Sequence, residues 1–180
     1  ATWQLQQDAD GQRSLRLQAQ SGPLQLNYQA TVEMRHYSDD PESIAEVPLY
    51  QLPLEALRYI YPSRYCQSDR LAAYAYDLFG PQAPGYARAQ AVCNWVQQHV
   101  KFRSNSSSGT TSAVDTLVEC VGVCRDFAHL MIAMCRAINL PARFVTGTDY
   151  GADPALGPPD FHAYVEVYLG GRWYMFDPSG

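Results

Sequence analysis

The apolar residues of this chain change period twice, and that change constrains the fold more tightly than any single motif. Over the first third the period is two. Leu24, Leu26, Tyr28, Ala30, Val32 and Met34 alternate with polar residues without a break, and Leu15, Leu17 and Ala19 do so ahead of the Ser21-Gly22-Pro23 turn. A period of two gives a strand one buried face. Asp10-Gly11 is a hairpin signal after Trp3 and Leu5. The opening residues are therefore predicted to form a three-stranded meander, with the chain starting almost inside its first strand, as an incomplete chain would.

From Ser68 onward the period becomes helical. Ser68 and Asp69 are placed to cap a helix through Leu71, Ala72, Ala75, Leu78 and Phe79, closed by Gly80-Pro81. Residues 86–100 carry Ala89, Val92, Cys93, Val96 and Val100 on one stripe, with Trp95 beside it. Ser104 to Ser112 reads as a flexible polar connection. A further helix is expected from about Gly122 to Asn139, burying Phe127, Leu130, Met131, Met134, Cys135 and Ile138 and stopped by Leu140-Pro141. The period then returns to two. Arg143 to Thr146 is one strand; His162 to Leu169 and Trp173 to Asp177 form a hairpin around Gly170-Gly171. Strands, helices, then strands is the order of an α+β fold.

Composition removes several function classes. With 47% hydrophobic and 17% charged residues, the 180-residue chain is too apolar for disorder and long enough to bury a core. No apolar run approaches the roughly 18–20 residues of a membrane span. Lys101 is the only lysine and the net charge is −5, so neither nucleic acid nor a membrane is an expected partner. Five cysteines (66, 93, 120, 124 and 135) leave at least one thiol outside any intrachain bridge, which points to a reducing, cytoplasmic compartment.

The residues that carry chemistry are Cys124, His162 and Asp177. Cys124 sits where the Val121-Gly122-Val123 loop enters a strongly helical stretch. A thiol there meets the positive end of the helix dipole and unpaired N–H groups, which favour the thiolate and offer donors to an oxyanion. His162 opens one strand of the last hairpin and Asp177 closes the other, so a short turn brings imidazole and carboxylate together. Nucleophile, base and orienter are the parts that thiol acyl transfer needs. His129 is excluded as the base. Five residues beyond Cys124, it projects roughly 140° away around the helix, and a structural role is expected.

The local text around these residues is more specific than their types. Gly122-Val123-Cys124-Arg125-Asp126-Phe127, Phe161-His162-Ala163-Tyr164-Val165-Glu166 and Trp173-Tyr174-Met175-Phe176-Asp177-Pro178 resemble the three core blocks of the transglutaminase-like superfamily. The resemblance implies a papain-like core, helices packed on an antiparallel sheet, with Cys124 as nucleophile, His162 as general base and Asp177 as orienter. It implies a thiol acyl hydrolase or acyltransferase, a transglutaminase-like cysteine protease, that cleaves an amide or peptide bond through a Cys thioester. The alternative is a catalytically silent member serving as an interaction module. Residues 52–66 look like the segment that precedes this core in bacterial members, so a β-rich region over 1–50 and a catalytic core over 51–180 are expected. Relatives usually continue with more strands after Phe-Asp-Pro, so the core is expected to be truncated at its C-terminal end.

The remaining signals receive plainer readings. Cys93 and Cys135 fall on apolar stripes and are expected in the core; Cys66 is expected to be half-buried. A zinc site through Cys120, Cys124 and a histidine lacks the second tight ligand pair, and no cofactor, metal or Ca²⁺-type acidic loop is expected. The loop Gly147 to Asp160 is expected to border an acyl-donor cleft that takes a peptide or protein. Trp95, Tyr164 and Trp173 are possible walls for excluding water, though each also suits a core. A short chain with few long loops favours water over an amine as the acceptor, hence a hydrolase.

Overall fold

The computed structural model describes residues 2–8, 11–33, 35, 37–148 and 161–180. The expectations for Asp10, Met34 and the loop from Asp149 to Asp160 lie outside the described residues. The chain forms two compact units, residues 1–37 and 38–180.

In the first unit, β1 (Thr2–Gln7) and β2 (Arg13–Gln18) pair antiparallel, with Trp3 opposite Leu17 and Leu5 opposite Leu15. Asp8 closes the turn by accepting the Gln12 N–H on its carboxylate at 2.9 Å. The expected third strand is not formed, because residues 23–33 carry no strand ladder. Leu24, Leu26 and Tyr28 instead line an open hollow of about 920 Å³ together with Trp3, Leu5, Leu15 and Leu17. An alternating pattern makes one face apolar, and covering that face does not require edge-to-edge hydrogen bonds.

The second unit is built around one helix. Its elements are α1 (Leu54–Leu57), α2 (Ser68–Phe79), α3 (Tyr86–His99), β3 (Lys101–Phe102), α4 (Ala113–Glu119), β4 (Val121–Gly122), α5 (Cys124–Ala137), β5 (Ala142–Thr148), β6 (Phe161–Leu169) and β7 (Arg172–Phe176). Helix α5 packs against α2, α3 and α4 and against β5 and β6. Every residue from Asp126 to Cys135 is buried in consequence. The sequence stripe anticipated one buried face; the second is lined by small and branched residues such as Ala128, Ile132 and Ala133, which let neighbours approach. Ser68 occupies the first helical position of α2 as a buried residue, and Gln67 precedes it as the cap. The stripe on α3 is buried as its spacing predicts.

Strands β5, β6 and β7 form an antiparallel sheet in that order. Ala163, Val165, Val167 and Leu169 of β6 face the core, and Ala142 of β5 is opposite Val167. Gly170 and Gly171 connect β6 to β7 with φ of 55° and 86°. Two successive positive φ values make the tight turn that suits twisted strands, and glycine adopts them without strain. The short α4 and the parallel pair of β3 with β4 were not anticipated, since segments of seven and two residues are too short to show a period.

Candidate active site

The N-terminal end of α5 is held from both sides. Strand β4 pairs with β3, and the Arg103 N–H donates to the Gly122 carbonyl at 3.0 Å. Cys124 is the first residue of α5 and is half-buried. Asp126, two residues on, is fully buried, and its carboxylate accepts from the Val123 N–H at 2.9 Å and from the Ser107 hydroxyl at 2.8 Å. The Arg125 guanidinium lies 3.7 Å from the same carboxylate and donates to the Ser107 hydroxyl oxygen and, at 2.8 Å, to the Ser108 carbonyl. Asp126, at the third helical position, thus reaches back to the N–H of the N-cap residue Val123, with the Arg125 guanidinium beside it. The Asp126 and Phe127 N–H groups go to the Val123 carbonyl. The N–H groups of Cys124 and Arg125 belong to the first turn, which has no acceptor in its own helix.

Two consequences follow for the segments around it. Gly122 has no room for a side chain, because a Cβ there would lie 2.7 Å from the Asp126 Cβ. The segment Ser104 to Ser112 is not the flexible connection expected of it. Arg125 and Asp126 grip Ser107 and Ser108, and the Tyr65 hydroxyl donates to the Gly109 carbonyl at 2.9 Å. Partners distant in sequence tie it down, and no local pattern announces them.

His162 and Asp177 are brought together as predicted. The imidazole Nε2 lies 2.8 Å from Asp177 Oδ2. A carboxylate only accepts, so Nε2 donates the proton between them, and whenever the ring is neutral Nδ1 carries its lone pair. Sequence reasoning missed Ser179. Continuing the β6–β7 register past Phe176 sets Ser179 opposite His162. Its N–H and hydroxyl donate to Asp177 Oδ1 at 3.0 and 2.8 Å, and its Oγ lies 3.2 Å from His162 Nε2. The register of the hairpin was the signal that could have found it.

The topology relates this pair to Cys124. The chain turns back at Ile138–Pro141, pinned by the Leu140 N–H to the Cys135 carbonyl at 2.9 Å and by Arg136 Nε to the Ala142 carbonyl at 2.9 Å. Strand β5 then runs back along α5. From Cys124 to Ala137 the helix rises about 20 Å, and from Ala142 to Gly147 the strand rises about 17 Å. Gly147 is the register partner of His162. The end of the sheet that carries the His162–Asp177 pair is therefore the end toward the start of α5, where Cys124 lies. No described residue hydrogen-bonds to the Cys124 thiol.

The other candidates have structural settings. His129 is buried, with its ring 5.2 Å from Tyr65 and 5.3 Å from Phe144. Burial, reinforced by Arg125, pushes its pKa down to about 4. Cys93 and Cys135 are core residues; burial raises both thiols, with Asp177 adding to the effect at Cys93, which reaches about 11. Cys66 is buried rather than half-buried, and desolvation raises its thiol as well. Trp95 packs among Tyr74, Phe79 and His99, and Trp173 among Tyr59, Tyr168 and the Arg143 guanidinium, so both serve packing. Tyr164 differs: its ring lies 4.6 Å from that of His162. Among the described residues no group of three or more His, Cys, Asp or Glu is placed to hold a metal ion. Nor is any helix among them long and apolar enough to cross a membrane.

Comparison with known proteins places these features. The family profile of the transglutaminase-like superfamily matches residues 72–178. Among solved structures, a provisionally named cysteine protease from Cytophaga hutchinsonii is 44% identical, with a TM-score of 0.71 over 77% of this chain and 46% of that one. The periplasmic domain of TgpA from Pseudomonas aeruginosa, bound to ethylmercury, is 25% identical, with a TM-score of 0.55 over 69% of this chain and 48% of that one. Among curated proteins, an uncharacterized protein of Mycobacterium leprae is 30% identical over 93 residues, 49% of this chain and 33% of its own length. One of Mycobacterium tuberculosis is 32% identical over 122 residues, 62% of this chain and 39% of its own length. The chain thus spans between a third and two fifths of these curated relatives.

Proposed function

Because the chain belongs to the transglutaminase-like superfamily, we propose that it is a thiol-dependent acyl-transfer enzyme in which Cys124 attacks the carbonyl of an amide or peptide bond. The observation that carries this reading is the His162–Asp177 pair at 2.8 Å, with the proton on Nε2 and the basic lone pair on Nδ1, at the sheet end beside the start of α5. His162 Nδ1 takes the thiol proton as sulfur bonds to the carbonyl carbon. The resulting oxyanion is received by first-turn N–H groups of α5. When the C–N bond breaks, the imidazolium returns the proton to the departing amine, leaving a Cys124 thioester. Water, deprotonated by His162, then attacks the thioester and releases the acid and the thiol. Asp177 holds the ring and offsets its transient charge, as the orienting carboxylate of such a triad does.

The acyl donor is a peptide or protein, and water is the main acceptor. At roughly 55 M, water outcompetes an amine unless the site excludes it, and Trp95 and Trp173 are committed to packing rather than to walls. A cytoplasmic setting is proposed from the five free thiols; one similar structure is a periplasmic domain, and fractionation of cells producing the full-length protein separates the two. The activity test is to incubate the protein with glutamine-containing peptides and an excess of primary amine, followed by mass spectrometry. Hydrolysed product that disappears in Cys124→Ala is expected. Predominantly amine-conjugated product would make the protein a transferase, and product that persists in Cys124→Ala would overturn the assignment.

A further inference from the structure

The residue that holds the base in register is one that neither the triad motif nor the hairpin ends identify. Asp177 lies just beyond the last paired residue of β7, Phe176, so the strand ladder does not fix its side chain. A carboxylate on a free χ rotor presents either oxygen, in a range of directions, to the imidazole. Here both donors of Ser179 converge on Oδ1, the backbone N–H at 3.0 Å and the hydroxyl at 2.8 Å, and Oδ2 is left to His162 Nε2 at 2.8 Å. The Ser179 hydroxyl hydrogen points at Oδ1, so the lone pairs of Oγ face Nε2, 3.2 Å away. Nε2–H therefore has two acceptors, Asp177 Oδ2 and Ser179 Oγ.

We propose that Ser179 is a positioning residue of this site: its hydroxyl locks the rotamer of Asp177 and acts as second acceptor for the imidazolium of His162. The proposal rests on the catalytic reading of Cys124 and His162 given above. An imidazolium forms whenever the ring takes the thiol proton, and hydrogen bonds to a charged group are stronger than those to a neutral one. Ser179 thus contributes more to the thiolate–imidazolium state than to a neutral ring. Among the described residues, titratable groups near the pair include Tyr164 of β6, at 4.6 Å between rings, and Cys93 of α3, which feels the charge of Asp177. Gly180, the next residue, lies against the Gln97 amide of α3, which adds no charge.

The test needs no knowledge of the substrate. The rate of iodoacetamide alkylation of Cys124 is measured by mass spectrometry of the full chain from pH 4.5 to 9, for the wild type, H162A, S179A and the near-isosteric pair S179T and S179V. Circular dichroism checks that each is folded. Alkylation at mildly acidic pH is the expected result for the wild type, and its loss the expected result for H162A. S179A and S179V are expected to lower the rate at pH 5.5 by about 3- to 10-fold and to move the acid limb of the profile to higher pH. S179T, which keeps the hydroxyl, should stay within about twofold of the wild type, as expected when one hydrogen-bonding group is conserved. If S179A does not fold, the Thr and Val pair decides alone. Profiles of S179V and S179T that coincide overturn the proposal while leaving the catalytic pair intact, provided that H162A has lost its acidic-pH reactivity. An H162A profile identical to the wild type overturns the catalytic reading itself and Ser179 with it.

Discussion

The buried His129 makes the stability of this fold depend on pH in a calculable way. Its ring lies beside those of Tyr65 and Phe144, 8% exposed, with Nδ1 buried and without a hydrogen-bond partner among the described residues. In the folded protein burial holds its pKa at about 4, against 6.5 ordinarily. Between those values the unfolded chain binds a proton that the folded one does not, so unfolding becomes easier as pH falls. The effect is absent above pH 6.5, grows by about 1.4 kcal/mol per pH unit below it and levels off below pH 4. At pH 5 it amounts to about 2 kcal/mol, or a melting temperature lower by about 4–8 °C for a chain of this size. His129→Phe keeps a ring in the stack and cannot titrate. Urea denaturation of both proteins at pH 7.5 and pH 5, followed by circular dichroism, isolates the histidine, since the carboxylates titrate alike in both. The variant should lose about 2 kcal/mol less than the wild type on acidification, by the same linkage relation. Equal losses would refute the claim that His129 is buried in its neutral form.

Three further outcomes are expected. Iodoacetamide at mildly acidic pH should alkylate Cys124 ahead of Cys66, Cys93 and Cys135, whose thiols burial raises; peptide mapping in which Cys93 reacts first would contradict the packing. Gly122→Ala should cost about 2–4 kcal/mol in thermal unfolding, since the new Cβ displaces the Asp126 side chain from its caps on Val123 and Ser107, and should slow Cys124 alkylation as well; an unchanged melting temperature would show that Asp126 has room. His162→Ala should reduce turnover by about 10²–10⁴-fold, as loss of a general base does, whereas His129→Phe should leave turnover at neutral pH within severalfold; comparable catalytic losses in the two folded variants would contradict their separate roles.

Much of this protein is local in origin and therefore visible in one dimension. The period of 3.6 that buries Ala89, Val92, Cys93 and Val96 on α3 follows from helix geometry alone. The Gly170-Gly171 turn determines the β6–β7 pairing because few residues other than glycine take two positive φ values in succession. That pairing in turn sets His162 and Asp177 diagonally on one face of the hairpin, which is why a motif read as letters coincides with a hydrogen bond. Where local pattern and tertiary packing diverge, packing decides. Residues 23–33 alternate like a strand, yet their apolar side chains line a hollow beside β1 and β2 with no ladder, because alternation specifies a face and not a hydrogen-bonded partner. The polar run after Arg103 resembles a free linker, yet Arg125, Asp126 and Tyr65 fasten it from positions 17 to 44 residues away. Helix α5 carries a stripe in its sequence but is buried all round, because helices cover one side and the sheet the other. Ser179 has no pattern of its own; only the register that carries β7 past its last paired residue brings it to the imidazole. The sequence determined the longer helices α2, α3 and α5, the strands β5 to β7 and which residue types could do chemistry, since those depend on neighbours one turn or one turn residue away. Only the tertiary structure decided that Ser107 reaches Asp126 and that Ser179 reaches His162, because those contacts join residues 19 and 17 positions apart, a spacing that says nothing about their distance in space.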